Sequence, residues 1–226
     1  MSVHDGHRQR MRDRFLKNGL SSFEKHEVLE ILLFYCVPRV NINEVAHRLI
    51  DRFKTVNGVL RATPEELLSV EGVGESMVTY LSLLNETIRY VGVERSENMD
   101  CLPDTEACVS YLKELFVGMS NETVYLLCLD AKRSVIGHYL ISEGSVTSAS
   151  IPTRTVISKV LSSNAVYAVL AHNHPGGFAI PSAEDEEATA YLELMLQGVG
   201  VTLLDHIIIS DRDYVSLKHK IVNRVM

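Results

Sequence analysis

The sequence predicts two segments of different texture: an all-α segment over residues 1–100 and an α/β layered domain over residues 101–226. Three observations carry this. In the first segment apolar residues recur at helical spacing, punctuated by glycine and proline turns. The periodicity lapses over Arg95-Ser96-Glu97-Asn98-Met99-Asp100, and Pro103 follows. From Glu122 onward, short strand-like apolar runs alternate with amphipathic helices, the order of an α/β layered domain.

The opening stretch from His7 to Lys17 holds Arg8, Arg10, Arg12, Arg14 and Lys17, and reads as a helix stopped at Asn18-Gly19. Its basic face suits either phosphate or plain solvent, and charge alone does not choose. Ser22 opens a second helix running through Tyr35, which Pro38 ends because proline disfavours helical geometry in the residue before it. Asn43–Phe53 places Val45, Leu49 and Phe53 on one helical face. Thr63-Pro64-Glu65-Glu66 is a helix start with a cap, a proline at the first position and an acidic first turn.

Leu67-Leu68-Ser69-Val70, then Gly72-Val73-Gly74, then a second helix through Leu81 has the outline of a helix-hairpin-helix motif. Backbone N–H groups of such a hairpin hold a DNA phosphate without reading bases. The alternative is an αα-turn that needs glycine for positive φ and close packing. Glu75 sets an anion where the phosphate would sit, which weakens the DNA reading.

In the second segment Thr105–Phe116 restarts as a helix with Val109, Leu112, Leu115 and Phe116 inward. Thr123–Leu129 is a buried strand, Asp130–Ser134 a turn, and Val135–Ser142 the returning strand. Ile151-Pro152-Thr153 starts a helix through Leu161, and Ala165–Ala171 is a central strand, apolar on both faces. Ser182–Leu196 is a helix stopped by Gly198, and Val201–Leu204, His206–Ile209 and Tyr214–Leu217 complete the sheet.

Composition sets limits on function. The net charge is −7, with 13 Lys+Arg against 15 Asp+Glu in residues 1–100 and 9 against 14 in residues 101–226. Neither half is basic, which argues against broad electrostatic binding to nucleic acid. No apolar run approaches the ~20 residues that span a bilayer. The N-terminus lacks a secretory layout, so a soluble cytoplasmic protein with no membrane partner is expected. Cys36, Cys101, Cys108 and Cys128 form no C-x-x-C pair and read as buried thiols of a reducing compartment.

The chemistry concentrates in Ala171-His172-Asn173-His174-Pro175-Gly176-Gly177 and the following Pro181-Ser182-Ala183-Glu184-Asp185. In extended chain, residues two apart share a side, so both imidazoles can face one point. A helix start beside them brings Asp185 to that point, and two His with one carboxylate is a known catalytic zinc set. The plainer reading is a capping box with loop histidines, in which Asp185 only favours the helix dipole. The two readings are compatible, since a helix start is a rigid mount for a ligand. A nucleobase deaminase needs H-x-E and P-C-x-x-C, and neither occurs. No H-E-x-x-H occurs either. His138 and His219 read as structural or solvated, while His206 beside Asp205 is a candidate to support a ligand from behind.

His172-x-His174-Pro175 followed by Ser182-x-x-Asp185 resembles the ligand pattern of the JAMM metalloproteases. More closely, nearly the whole chain resembles the bacterial RadC family. Gly6-His7-Arg8-x-Arg10, Gly72-Val73-Gly74, Pro152-x-Arg154, His172–Pro175 and Leu204-Asp205-His206-Ile207-Ile208 carry that resemblance. Gly176 departs from it, standing where the family usually has serine, but removes no ligand.

The resemblance implies a catalytic domain of cytidine-deaminase-like architecture behind a helix-hairpin-helix domain. It implies a zinc ion held by His172, His174 and Asp185 with water in the fourth position, and hydrolysis of a peptide or isopeptide bond. Glu122, just before the first strand, takes the family's place for the general acid/base; Glu143, after the second strand, is its competitor. Ser182 corresponds to the serine that hydrogen-bonds the developing oxyanion. The family's historical DNA-repair label makes DNA the alternative partner, through Gly72, Val73 and Gly74.

Overall fold

The computed structural model describes residues 3–37, 42–97, 101–144, 151–219 and 221–224. Helices α1 (Val3–Asn18), α2 (Lys25–Leu33), α3 (Asn43–Phe53), α4 (Val56–Arg61), α5 (Pro64–Leu68) and α6 (Glu75–Glu97) come first. Then follow α7 (Thr105–Phe116), β1 (Thr123–Leu129), β2 (Val135–Glu143), α8 (Thr153–Ser162), β3 (Tyr167–His174), α9 (Ala183–Gly198), β4 (Thr202–Ser210), β5 (Asp213–Ser216) and β6 (Ile221–Arg224). The chain packs as two compact units, Met1–Ile88 and Arg89–Met226. That division falls inside α6, ahead of the lapse at 95–100, of which 98–100 lie outside the described residues.

In the first unit, Leu29, Leu33, Ala46, Leu49, Val59 and Leu81 are fully buried and form the core. Helix α2 is shorter than its apolar run suggests, ending before Pro38, which lies outside the described residues. Helix α4 was not foreseen: Thr55 caps it by accepting the Gly58 N–H at 2.9 Å. Helix α5 has the expected capping box, Thr63 with Glu66. Gly72 takes φ +89°, and a Cβ there would sit 2.9 Å from Val45 Cγ2, so the turn needs glycine twice over. Gly74 shows neither constraint.

In the second unit one sheet runs β2-β1-β3-β4-β5-β6 among the described residues, with β3–β4 its parallel pair and the other neighbours antiparallel. Side chains alternate across it. Tyr125, Leu127, Leu129, Val169, Ala171 and Ile207 pack with α7. Val124, Leu126, Cys128, Ala168 and Leu170 pack with Val156 and Val160 of α8 and Leu192 and Leu196 of α9. Helices therefore cover both faces, and this is why β1 reads as an unbroken apolar run.

The two apolar runs flanking Asp205 are a single strand, β4. Its register against β3 slips at Leu204: Ala168 pairs with Leu203, but Val169 pairs with Asp205. The extra residue leaves Leu204 and Asp205 both on the α7 side and returns His206 to the α9 side. Of the cysteines, Cys108 and Cys128 are buried as expected, whereas Cys36 is half-buried and Cys101 exposed. Burial pushes the Cys108 thiol up to about 12, so it stays protonated. No helix among the described residues is long and apolar enough to cross a membrane.

Candidate metal centre

Strand parity builds the site. His172 and His174 share the parity of Ala168 and Leu170, which face α8 and α9, so both imidazoles emerge on that side. The strand carries on through both histidines instead of ending before them. After Pro175 the chain reverses at Gly176, whose φ of +70° costs glycine nothing. The reversal brings the Phe178 carbonyl to 2.9 Å from His174 Nδ1. Asp213 steadies the loop by accepting the Ala179 N–H at 2.9 Å.

Ser182 then caps α9. Its Oγ accepts the Asp185 N–H at 3.1 Å, while the Ser182 hydroxyl and N–H both donate to Asp185 Oδ2, at 2.7 and 2.9 Å. With Oδ2 committed, Oδ1 turns to the histidines and lies 3.7 Å from His172 Nε2. His172 Nε2 and His174 Nε2 are 3.1 Å apart, and one ligand atom from each of the three residues lies within 4.8 Å of the others. Two tetrahedral ligands at zinc–nitrogen distance stand about 3.3 Å from each other. His174 Nδ1 faces a carbonyl and must carry the proton there, so its Nε2 presents a lone pair. The donor set fits a zinc ion.

Burial pushes the His172 imidazole down from 6.5 to about 4, with Asp185 opposing and His174 adding to the fall. Burial and the adjacent His172 push His206 down from 6.5 to about 3. Asp185 is pulled below its usual value: burial works against this, but the two Ser182 bonds and the neighbouring imidazoles prevail. Between about pH 6.5 and 4 the unfolded chain binds protons at His172 and His206 that the folded domain refuses. Metal-free protein should therefore lose stability as pH falls through that window, with the full contribution present above 6.5. Urea midpoints measured at intervals from pH 8 to pH 4 check this; a flat profile would contradict the buried neutral pair.

Antiparallel register sets Val124 opposite His172 and Thr123 opposite Glu143. Glu122 stands two residues before Val124 and immediately ahead of β1, at the end of the sheet where Val124 sits opposite His172. Glu143 follows Thr123, whose parity is that of Tyr125 and the α7 side. Asn173, which looks like a spacer in the sequence, grips the segment around Glu122. Its Oδ1 accepts the Thr123 N–H at 2.6 Å and its Nδ2 donates to the Asn121 carbonyl at 3.1 Å. Thr189 was missed as well: a buried helix threonine, bonded to His206 Nδ1 at 2.6 Å. His138 is structural, with Nδ1 2.8 Å from the Tyr111 hydroxyl.

Gly72, Val73 and Gly74 stand in the first unit, at the turn between α5 and α6, with Glu75 opening α6. The arginines of α1 are less available than their spacing suggests. Arg8 lies over the Phe34 ring, Arg12 over Tyr35, and Arg14 over Phe23 while pairing with Glu27 at 2.8 Å.

Comparison with known proteins agrees with this architecture. Residues 102–222 match the RadC-like JAB domain, of a metalloprotease-like superfamily, and residues 6–79 match the UPF0758 N-terminal family. A UPF0758 protein of Fusobacterium nucleatum is 31% identical over 218 residues, covering 93% of this chain and 94% of that protein. One from Ruegeria pomeroyi is 32% identical over 203 residues, covering 90% and 91%, and one from Bacillus pumilus is 30% identical over 217 residues, covering 96% and 97%. The JAB domain carries the three converging ligand groups, and the relatives match the chain nearly end to end. The chain belongs to the RadC (UPF0758) family.

Proposed function

We propose that residues 101–226 form a zinc-dependent hydrolase of amide bonds, a peptidase or isopeptidase of the JAMM type, with zinc held by His172, His174 and Asp185. The observation that carries this is the convergence of two imidazole Nε2 atoms 3.1 Å apart with a carboxylate oxygen 3.7 Å from one of them. Helices on both faces of the sheet support the cytidine-deaminase-like layering that such a domain has. Bound zinc supplies a Lewis acid that makes water acidic and polarises a carbonyl.

The side chains supply the rest. Glu122 takes a proton from the attacking water and passes it to the leaving amine as the C–N bond breaks, so one carboxylate serves both halves of the reaction. Its place just ahead of β1, two residues before the partner of His172, and the Asn173 clamp on the flanking backbone support that role. Ser182 holds Asp185 so that one oxygen faces the histidines. Its single proton goes to Asp185 Oδ2, so service as an oxyanion donor requires the hydroxyl to rotate onto the substrate carbonyl. Free thiols throughout support a reducing, cytoplasmic setting. The test is a panel of peptides and lysine-branched isopeptides incubated with purified protein. Cleavage that a chelator stops and added zinc restores is expected; cleavage indifferent to the chelator would overturn the proposal.

The turn at Gly72, leading into the N-terminus of α6, supports a second reading, a helix-hairpin-helix holding DNA backbone. Against it stand Glu75 in the first turn of α6 and Arg48, which donates to the Glu71 carbonyl at 3.1 Å. A salt titration of DNA binding decides: phosphate contacts require affinity falling steeply with salt, and no binding at low salt removes this reading.

A further inference from the structure

Behind the ligands runs a chain of hydrogen bonds whose direction is set at its far end. Thr189 Oγ1 lies 2.6 Å from the Asp185 carbonyl and 2.6 Å from His206 Nδ1. His206 Nε2 lies 2.9 Å from His172 Nδ1. Thr189, His206 and His172 are all buried, so water does not complete these contacts.

Follow the protons. A carbonyl only accepts, so the single hydroxyl proton of Thr189 goes to the Asp185 carbonyl. The Thr189 oxygen then has only lone pairs for His206, and His206 Nδ1 must carry the proton in that contact. A neutral imidazole has one N–H, so His206 Nε2 is an acceptor, and His172 Nδ1 must be the donor to it. His172 Nε2 is left as a bare lone pair, facing His174 Nε2 and Asp185 Oδ1. The opposite direction would send the hydroxyl proton to His206 and leave two oxygens 2.6 Å apart with no proton between them.

We propose that Thr189 and His206 are positioning residues that fix His172 in the tautomer with its proton on Nδ1, pre-setting the Nε2 lone pair for a divalent metal. No proton is gained or lost; what is set is which nitrogen holds it. The same hydroxyl also ties the helical turn that carries Asp185 to His206 of β4, and through His206 to His172 of β3, so one side chain bears on two ligands. The bulge at Leu204 makes this reachable, because it is what returns His206 to the α9 side. The inference rests on the metal-centre reading, and one of its two readouts needs no metal.

The experiment uses the full chain as native protein, Thr189→Val, which keeps the shape and removes the hydroxyl, and Thr189→Ser, which keeps the hydroxyl. The first readout is the 15N coupling pattern of His172 in metal-free protein at pH 7, which reports the protonated nitrogen directly. The second is zinc affinity by competition with a chromophoric chelator. Native protein and Thr189→Ser should show the proton on Nδ1. Thr189→Val should show mixed or reversed tautomers and zinc binding weakened by roughly 10- to 100-fold, the usual cost of removing a group that orients a metal-bound imidazole. Native His172 protonated on Nε2 would overturn the proposal, as would Thr189→Val with both tautomer and affinity unchanged. Should Thr189→Val fail to fold, the native 15N pattern decides alone. Should native protein show the Nδ1 proton but bind no zinc, the relay stands and the metal reading falls.

Discussion

In Glu122→Gln, amide hydrolysis should fall by roughly 10²- to 10⁴-fold, the typical worth of a general acid/base, with zinc content unchanged. Glutamine keeps the shape and the polar end of glutamate but cannot take a proton. Zinc content should be untouched because the three proposed ligands sit on β3 and α9, whereas Glu122 stands before β1. Position favours Glu122 of the two acidic residues near this end of the sheet. Glu122 lies two residues before Val124, the partner of His172, and Glu143 pairs with Thr123, whose side chain belongs to the α7 side. Glu143→Gln should therefore keep its activity. Steady-state kinetics with metal analysis on both variants check this, and loss of activity in Glu143→Gln alone would reverse the assignment.

Leu126→Ala should destabilise the second unit by about 3–5 kcal/mol, the upper range for a leucine truncated in a fully packed core. Leu126 is wholly buried in β1, between Tyr139 of β2 and Leu170 of β3, within the cluster that α8 and α9 complete. Leu194→Ala on exposed α9 surface should stay within about 0.5 kcal/mol of native. Urea titrations that follow the transition of the second unit separate the two cases; equal shifts would mean that the cluster is not the core.

What the sequence disclosed about the site depended on period. His172 and His174 are two apart on a strand, and Ser182 and Asp185 are three apart at a helix start, so local geometry alone aims all three ligands. Thr189, His206 and Asn173 follow no such rule. His206 reaches His172 only because β4 bulges at Leu204, and in sequence that bulge looks like a break between two strands. Thr189 is one threonine in an acidic helix, and nothing local shows that its hydroxyl meets an imidazole 17 positions away. Asn173 sits between two ligands with the parity of the opposite face, so its grip on the Asn121–Thr123 backbone needed the β1–β3 pairing to be known. The arginines of α1 show the same limit. Their charge is legible, but the Phe23, Phe34 and Tyr35 rings they cover are a matter of tertiary packing.

The most direct measurement is zinc content by mass spectrometry of native protein and Asp185→Ala, purified side by side without chelator and reloaded with equimolar zinc. Native protein should carry about one zinc per chain, and the variant, left with two imidazoles and no anion, should carry a small fraction of that. Folded native protein that takes up no zinc, or equal content in the two proteins, would contradict a metal centre built from His172, His174 and Asp185.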